Sequence, residues 1–141
     1  MLKRVSRSKH LIALFLLLAT LNAGCGGFGL TAKTDVGKAV QAADIEKALV
    51  TEAMTQFAVL HLHESVSDAN YATGRTAYKT WANSQRTVAK SIAAWKRIGD
   101  ADSGNAVLVA ISEAQKLAAS LLHLIGQFGV DVGAARAKVG G

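Results

Sequence analysis

Residues 71–99 read YATGRTAYKTWANSQRTVAKSIAAWKRIG, and their spacing decides the fold. Tyr71, Tyr78, Gln85, Ile92 and Gly99 stand seven apart, and Gly74, Trp81, Val88 and Trp95 follow three places behind them. Two interleaved sets at that spacing are the a and d positions of a helix that buries one seam, so the pattern predicts a helix over 69–98. The outward positions hold Arg75, Lys79, Arg86, Lys90, Lys96 and Arg97, with no acid anywhere from Tyr71 to Ile98. One face is thus apolar and aromatic, and another is basic.

Upstream, residues 35–66 carry Val36, Val40, Ala43, Val50, Met54, Phe57 and His61 at steps of three or four, with Lys47 interrupting. Ile45, Leu49, Ala53 and Leu60 widen that stripe into a broad apolar face. Thr34 or Asp35 is the expected N-cap, and Ser67 or Asp68 the cap of the next helix, because their side-chain oxygens accept from free backbone N–H groups. Downstream, Gly99 can end a helix in a left-handed cap, with Asp102 or Ser103 starting another. Residues 105–128 then place Leu108, Ile111, Gln115, Ala118, Leu122 and Ile125 on one stripe and Leu117, Leu121, Leu124 and Phe128 on an adjoining one. A helix apolar around so much of its girth is expected to be the most buried of the three. Glu113, Gln115 and Lys116 argue against its spanning a membrane, because charge at mid-bilayer is costly.

Proline is absent, and half the residues are apolar. Short breaks between long helices favour neighbours of opposite direction. The expected fold is therefore all-α: an antiparallel bundle of three long helices over residues 35–128, with a helical hairpin completed by self-association as the other arrangement. Residues 129–141, rich in glycine and alanine, are expected to form a flexible tail.

The N-terminus is of another kind. Residues 1–10 hold Lys3, Arg4, Arg7 and Lys9 and no acid, and an apolar run from Leu11 to Leu21 follows, broken only by Thr20. A basic stretch, a short apolar core and small residues beyond it form a signal peptide over residues 1–24. The run is short for a membrane span, which needs about 20 residues. The chain's net charge is +6, and setting aside those four basic residues leaves +2, so the basicity is mostly a targeting signature.

Leu21-Asn22-Ala23-Gly24-Cys25 resembles the lipobox of bacterial lipoproteins, with Ala23, Gly24 and Cys25 in the matching places. Asn22 stands where that class holds Leu, and Leu21 sits one place earlier. The resemblance implies cleavage before Cys25 and attachment of fatty chains, palmitate among them, to that cysteine. It further implies residence in the cell envelope, at the outer membrane facing the periplasm in a Gram-negative host, since Gly26 is not the Asp associated with inner-membrane retention. Residues 25–34 would form the lipidated cysteine and its tether. Two or more chains anchor stably where one is marginal. Ordinary cleavage after Cys25 or Gly26 is the alternative, because small residues also suit that site.

Cys25 is the only cysteine, so neither an internal disulfide nor a thiolate metal site can form. His61-Leu62-His63-Glu64 resembles a fragment of a metal site, but a helical zinc pair needs histidines four apart, and two apart they face different ways. His61 and His63 therefore read as a boundary and a solvated residue, and no metal or other cofactor is expected. Tyr71, Tyr78, Trp81 and Trp95 fit core positions better than a stacking platform. No nucleophile motif, phosphate loop or haem attachment sequence is present, so an enzyme is not expected. The basic residues of 71–98 gather +6, whereas the rest of the chain beyond residue 24 sums to −4. They are either a solvated face, offset by acids of the first helix, or a contact surface for anionic lipid or envelope polymer. Nucleic acid is not an expected partner, and self-assembly is. The expected function is that of a non-enzymatic envelope lipoprotein that binds a partner or assembles at the membrane. The alternative is a membrane-active helical protein, permeabilising or channel-blocking, of the kind phages encode.

Overall fold

The computed structural model describes residues 32–140, with side chains from residue 35 onward. Residues 1–24, expected to be a signal peptide, and Cys25 lie outside the described residues. Those described form four helices and no strand: α1 (Ala32–Leu62), α2 (Asp68–Ile98), α3 (Ala101–Gln127) and α4 (Val132–Val139). Helix α1 begins before the expected Thr34 or Asp35 cap, so the last residues assigned to the tether, 32–34, are already helical.

Helix α2 follows its heptads. Gly74, Trp81 and Val88 are buried at three of the four d positions, with Tyr71, Tyr78, Gln85, Ile92 and Trp95 half-buried beside them. Ser67 caps its start by accepting from the Asn70 N–H. Gly99, at φ +74°, closes its end by donating its N–H to the Trp95 carbonyl at 2.8 Å. The chain then turns at once: Asp100 accepts from the Ser103 N–H at 2.8 Å and starts α3 at Ala101, earlier than the expected cap at Asp102 or Ser103. Hydrogen bonding from Ser103 holds the Asp100 carboxyl below its ordinary range.

Helix α1 stops at Leu62 rather than running to Val66. Ser65 donates to the Leu60 carbonyl and Glu64 to that of His61, which is the paired closure of a Schellman end. Its left-handed position, φ +60°, falls on Glu64, where a glycine would be unstrained. The closure turns Val66 inward, and that residue is buried. The end of α3 repeats the device with a glycine: Val130 donates to Ile125, Gly129 to Gly126, Gly129 sits at φ +107°, and Val130 is buried.

Two apolar clusters form the core. One unites Leu49, Val50, Ala53 and Phe57 of α1 with Trp81 of α2 and Ala118, Leu121, Leu122 and Ile125 of α3. The other unites Val36 and Ala43 of α1 with Val88 of α2 and Val107, Ile111 and Ala114 of α3. Helix α3 is the hub, packing along both α1 and α2, while α1 and α2 touch each other over a small area. Ile45, expected to widen the apolar face of α1, instead points outward and is largely exposed. The buried seam of α1 passes through Val36, Ala43, Val50 and Phe57, and a residue two places after Ala43 lies on the far side of the helix.

The glycine- and alanine-rich tail carries a helix where a flexible segment was expected. Asp131 caps α4 by accepting from the Ala134 N–H at 2.9 Å. Ala135 is fully buried against α1, and Lys138 reaches Glu52 at 2.9 Å. Ala135 and the half-buried Val132 pack α4 onto the core without the run of large side chains that an apolar stripe would have shown.

Candidate anionic-contact surface

The seam of α2 turns inward, which fixes where its other face points. Arg75, Lys79, Arg86, Lys90, Lys96 and Arg97 are all exposed. At 100° per residue, five of them fall within one narrow stripe and Lys96 lies to its flank. At 1.5 Å per residue the stripe is about 33 Å long. Lys96 and Arg97 occupy the last turn, where the partial negative charge of the helix terminus favours cations.

Acids of α1 do not offset the stripe. Among the described residues, the ion pairs are His61–Asp68, Lys116–Glu113 and Lys138–Glu52, and none involves a basic residue of α2. Arg86 donates to the Asn83 side chain at 3.3 Å, one helical turn away. The reason is architectural: α3 lies along both helices, and the acids of α1 are used elsewhere or point elsewhere. Glu52, for example, holds Lys138, whose hydrogen bond keeps the Glu52 carboxyl below its ordinary value. The six cations therefore meet solvent as an uncompensated row.

The histidines have local duties. His61 stacks on Tyr71 with ring centroids 4.0 Å apart and planes 8° from parallel. Its Nδ1 lies 3.1 Å from the Val66 carbonyl oxygen and its Nε2 3.6 Å from Asp68. It braces the turn between α1 and α2. His63 is exposed, and His123 pairs with Gln127 of the next turn at 3.1 Å. Among the described residues, no three of His, Cys, Asp or Glu gather as a metal site would require. The aromatic residues of α2 are likewise spent on packing. Phe57 lies 5.3 Å from Tyr71 and 6.0 Å from Phe128, and Trp81 is 2% exposed beside Tyr78.

One residue escaped the sequence reading. Glu46 is half-buried, its Oε1 has no hydrogen-bond partner, and desolvation pushes its carboxyl up to about 7. The signal was present, since Glu46 stands three places after Ala43 and four before Val50, on the seam of α1. The neighbouring Lys47, which interrupts the steps of three and four, is exposed.

Compared with known proteins, the chain matches no family model, no curated protein and no solved structure.

Proposed function

We propose that this chain is a non-enzymatic cell-envelope lipoprotein, held at a membrane through lipid on Cys25, whose bundle contacts anionic head groups through the basic face of α2. In this reading α1, α2 and α3 run up, down and up. The two core clusters support that path, since each draws on the opposite half of α2 from the halves of α1 and α3 that it uses. The observation that carries the contact surface is the uncompensated row Arg75, Lys79, Arg86, Lys90, Lys96 and Arg97. A basic group near an anionic membrane contributes about 1 kcal/mol, and anchoring raises the local concentration of such a surface. Three of these groups are then worth about 3 kcal/mol, roughly a hundredfold in partitioning.

The test is co-sedimentation with phosphatidylglycerol vesicles and with neutral phosphatidylcholine vesicles, using the Cys25→Ser chain so that no acyl group contributes. The anionic vesicles should retain the protein in a salt-sensitive way, and reversal of Lys79, Arg86 and Lys90 to Glu should release it. Equal partitioning of the two proteins would return the stripe to ordinary solvation.

A second reading rests on α3. Its 27 residues reach a mean hydropathy of 1.3 over an 18-residue window, long and apolar enough to cross a membrane. A membrane-active protein would use that helix. Against this, α3 supplies buried residues to both core clusters, so inserting it would dismantle the bundle.

A further inference from the structure

The two apolar clusters are separated by a polar layer. Contacts at both ends set the register of the helices. Phe57 lies over Gly74, and eleven residues inward from each are Glu46 of α1 and Gln85 of α2. At the other end, Val36 and Trp95 meet beside Gly104, where a Cβ would be 3.5 Å from a side-chain atom of each. Ten residues inward from Val36 is again Glu46, and ten from Trp95 is again Gln85. Eleven from Gly104 is Gln115 of α3. Helices rise equally per residue, so these three residues share one level. None of them belongs to either cluster. Each lies in its helix between residues that do, and all three are half-buried.

The layer is not closed by hydrogen bonds. Glu46 Oε1 is a buried acceptor without a donor, and Gln85 Nε2 is a buried donor without an acceptor. One turn from Gln85, the Trp81 Nε1–H is buried and unpaired as well. We infer that the Glu46–Gln85–Gln115 layer is a pH-responsive breakpoint, at which ionisation of Glu46 loosens α1 from α2 and α3 while protonation draws them together. A neutral carboxyl is tolerated in an apolar surround far better than a carboxylate.

Charged groups at this level do not relieve the carboxylate. On α1, Asp44 and Lys47 flank Glu46 in sequence and are exposed. On α2, Arg86 and Lys90 are exposed, with Arg86 turned to Asn83. On α3, Glu113 and Lys116 pair with each other at 2.7 Å. On α4, Lys138 is held by Glu52. Burial alone accounts for the raised Glu46 carboxyl.

The sign follows from linkage. The folded carboxyl titrates at about 7 against an ordinary value of 4.5, so the folded state holds a proton that the unfolded state has released. Stability is fully present below the ordinary value, falls as pH rises towards the folded one, and is level beyond it.

The test uses the full chain in mild detergent. Carbon NMR of the glutamate carboxyls should show one group titrating near 7, absent from Glu46→Gln. Amide exchange in residues 43–50, corrected for its intrinsic pH dependence, should rise roughly tenfold or more from about pH 5 to about pH 8 in the wild type. It should stay level in Glu46→Gln and in Glu46→Leu. The absence of any glutamate titrating well above 4.5, or the same rise in both variants, would overturn the inference. Should either variant fail to fold, the wild-type titration decides alone.

Discussion

Replacing Gly74 with Ala should destabilise the bundle, although Ala is the better helix former. An added Cβ would fall on Phe57 Cε1 and lie 2.8 Å from Cζ, where carbon atoms rest comfortably at about 3.5–4.0 Å. The ring has nowhere to go. Phe57 is fully buried, with Phe128 stacked on one side and Tyr71 tilted against another. An overlap this close puts the cost of overpacking at the upper end, about 3 kcal/mol, and the gain in helix propensity returns about 1 kcal/mol. The net loss should be about 2 kcal/mol, which lowers the melting midpoint by roughly 10 °C for a domain of this size. Gly37→Ala is the control, because nothing lies within 4 Å of its added Cβ and propensity alone acts. That variant should gain about 1 kcal/mol. Phe57→Leu should relieve the clash, so the double variant should cost less than the sum of the two single ones by about 1 kcal/mol or more. Circular dichroism at the helical minimum, followed through heat and urea, reads the four variants against the wild type. A Gly74→Ala chain as stable as the wild type would refute the packing of Phe57 over α2.

Two further substitutions probe the ends of the bundle. Glu64→Gly should raise the urea midpoint, since it removes about 1 kcal/mol of left-handed strain at the end of α1; a lowered midpoint would contradict the Schellman closure. Lys138→Met should let the Glu52 carboxyl rise towards its ordinary 4.5, because the hydrogen bond from Lys138 is the first cause of its depression. A depressed carboxyl stabilises above its ordinary value and loses that contribution as pH falls through the folded one, so the variant should also resist acid relative to its own neutral stability. NMR titration of Glu52 checks this, and an unmoved carboxyl would detach α4 from α1.

The long helices were legible because their signals are redundant. The a and d sets of α2 each repeat over four heptads, and the buried d residues Gly74, Trp81 and Val88 follow them. Gly99 marks its own turn, because it is the residue suited to a left-handed cap at that place. Helix α4 was illegible for the converse reason. Ala135 is buried and Val132 half-buried, but so short a helix makes no periodic pattern, and the glycines around it read as a tail. The start of α3 was misplaced because Asp100, Asp102 and Ser103 are all chemically fit to cap, and only the tight turn at Gly99 selects the first. The basic row was visible as composition, but its lack of acidic partners was not. That depends on α3 lying along both α1 and α2, a property of three-dimensional packing that no local spacing encodes. Glu46 illustrates the limit from the other side, since its seam position was readable but its desolvation requires knowing what α2 and α3 bring to the same level.

The claim on which the functional reading rests is that Cys25 carries lipid. Intact-mass measurement of membrane and soluble fractions, for the wild type and Cys25→Ser, tests it directly. The account predicts a membrane-bound species that begins at Cys25 with the added mass of acyl chains and that is lost in the variant. A soluble species beginning at Gly26 or Gly27, indifferent to the substitution, or an uncut chain in the membrane would contradict it.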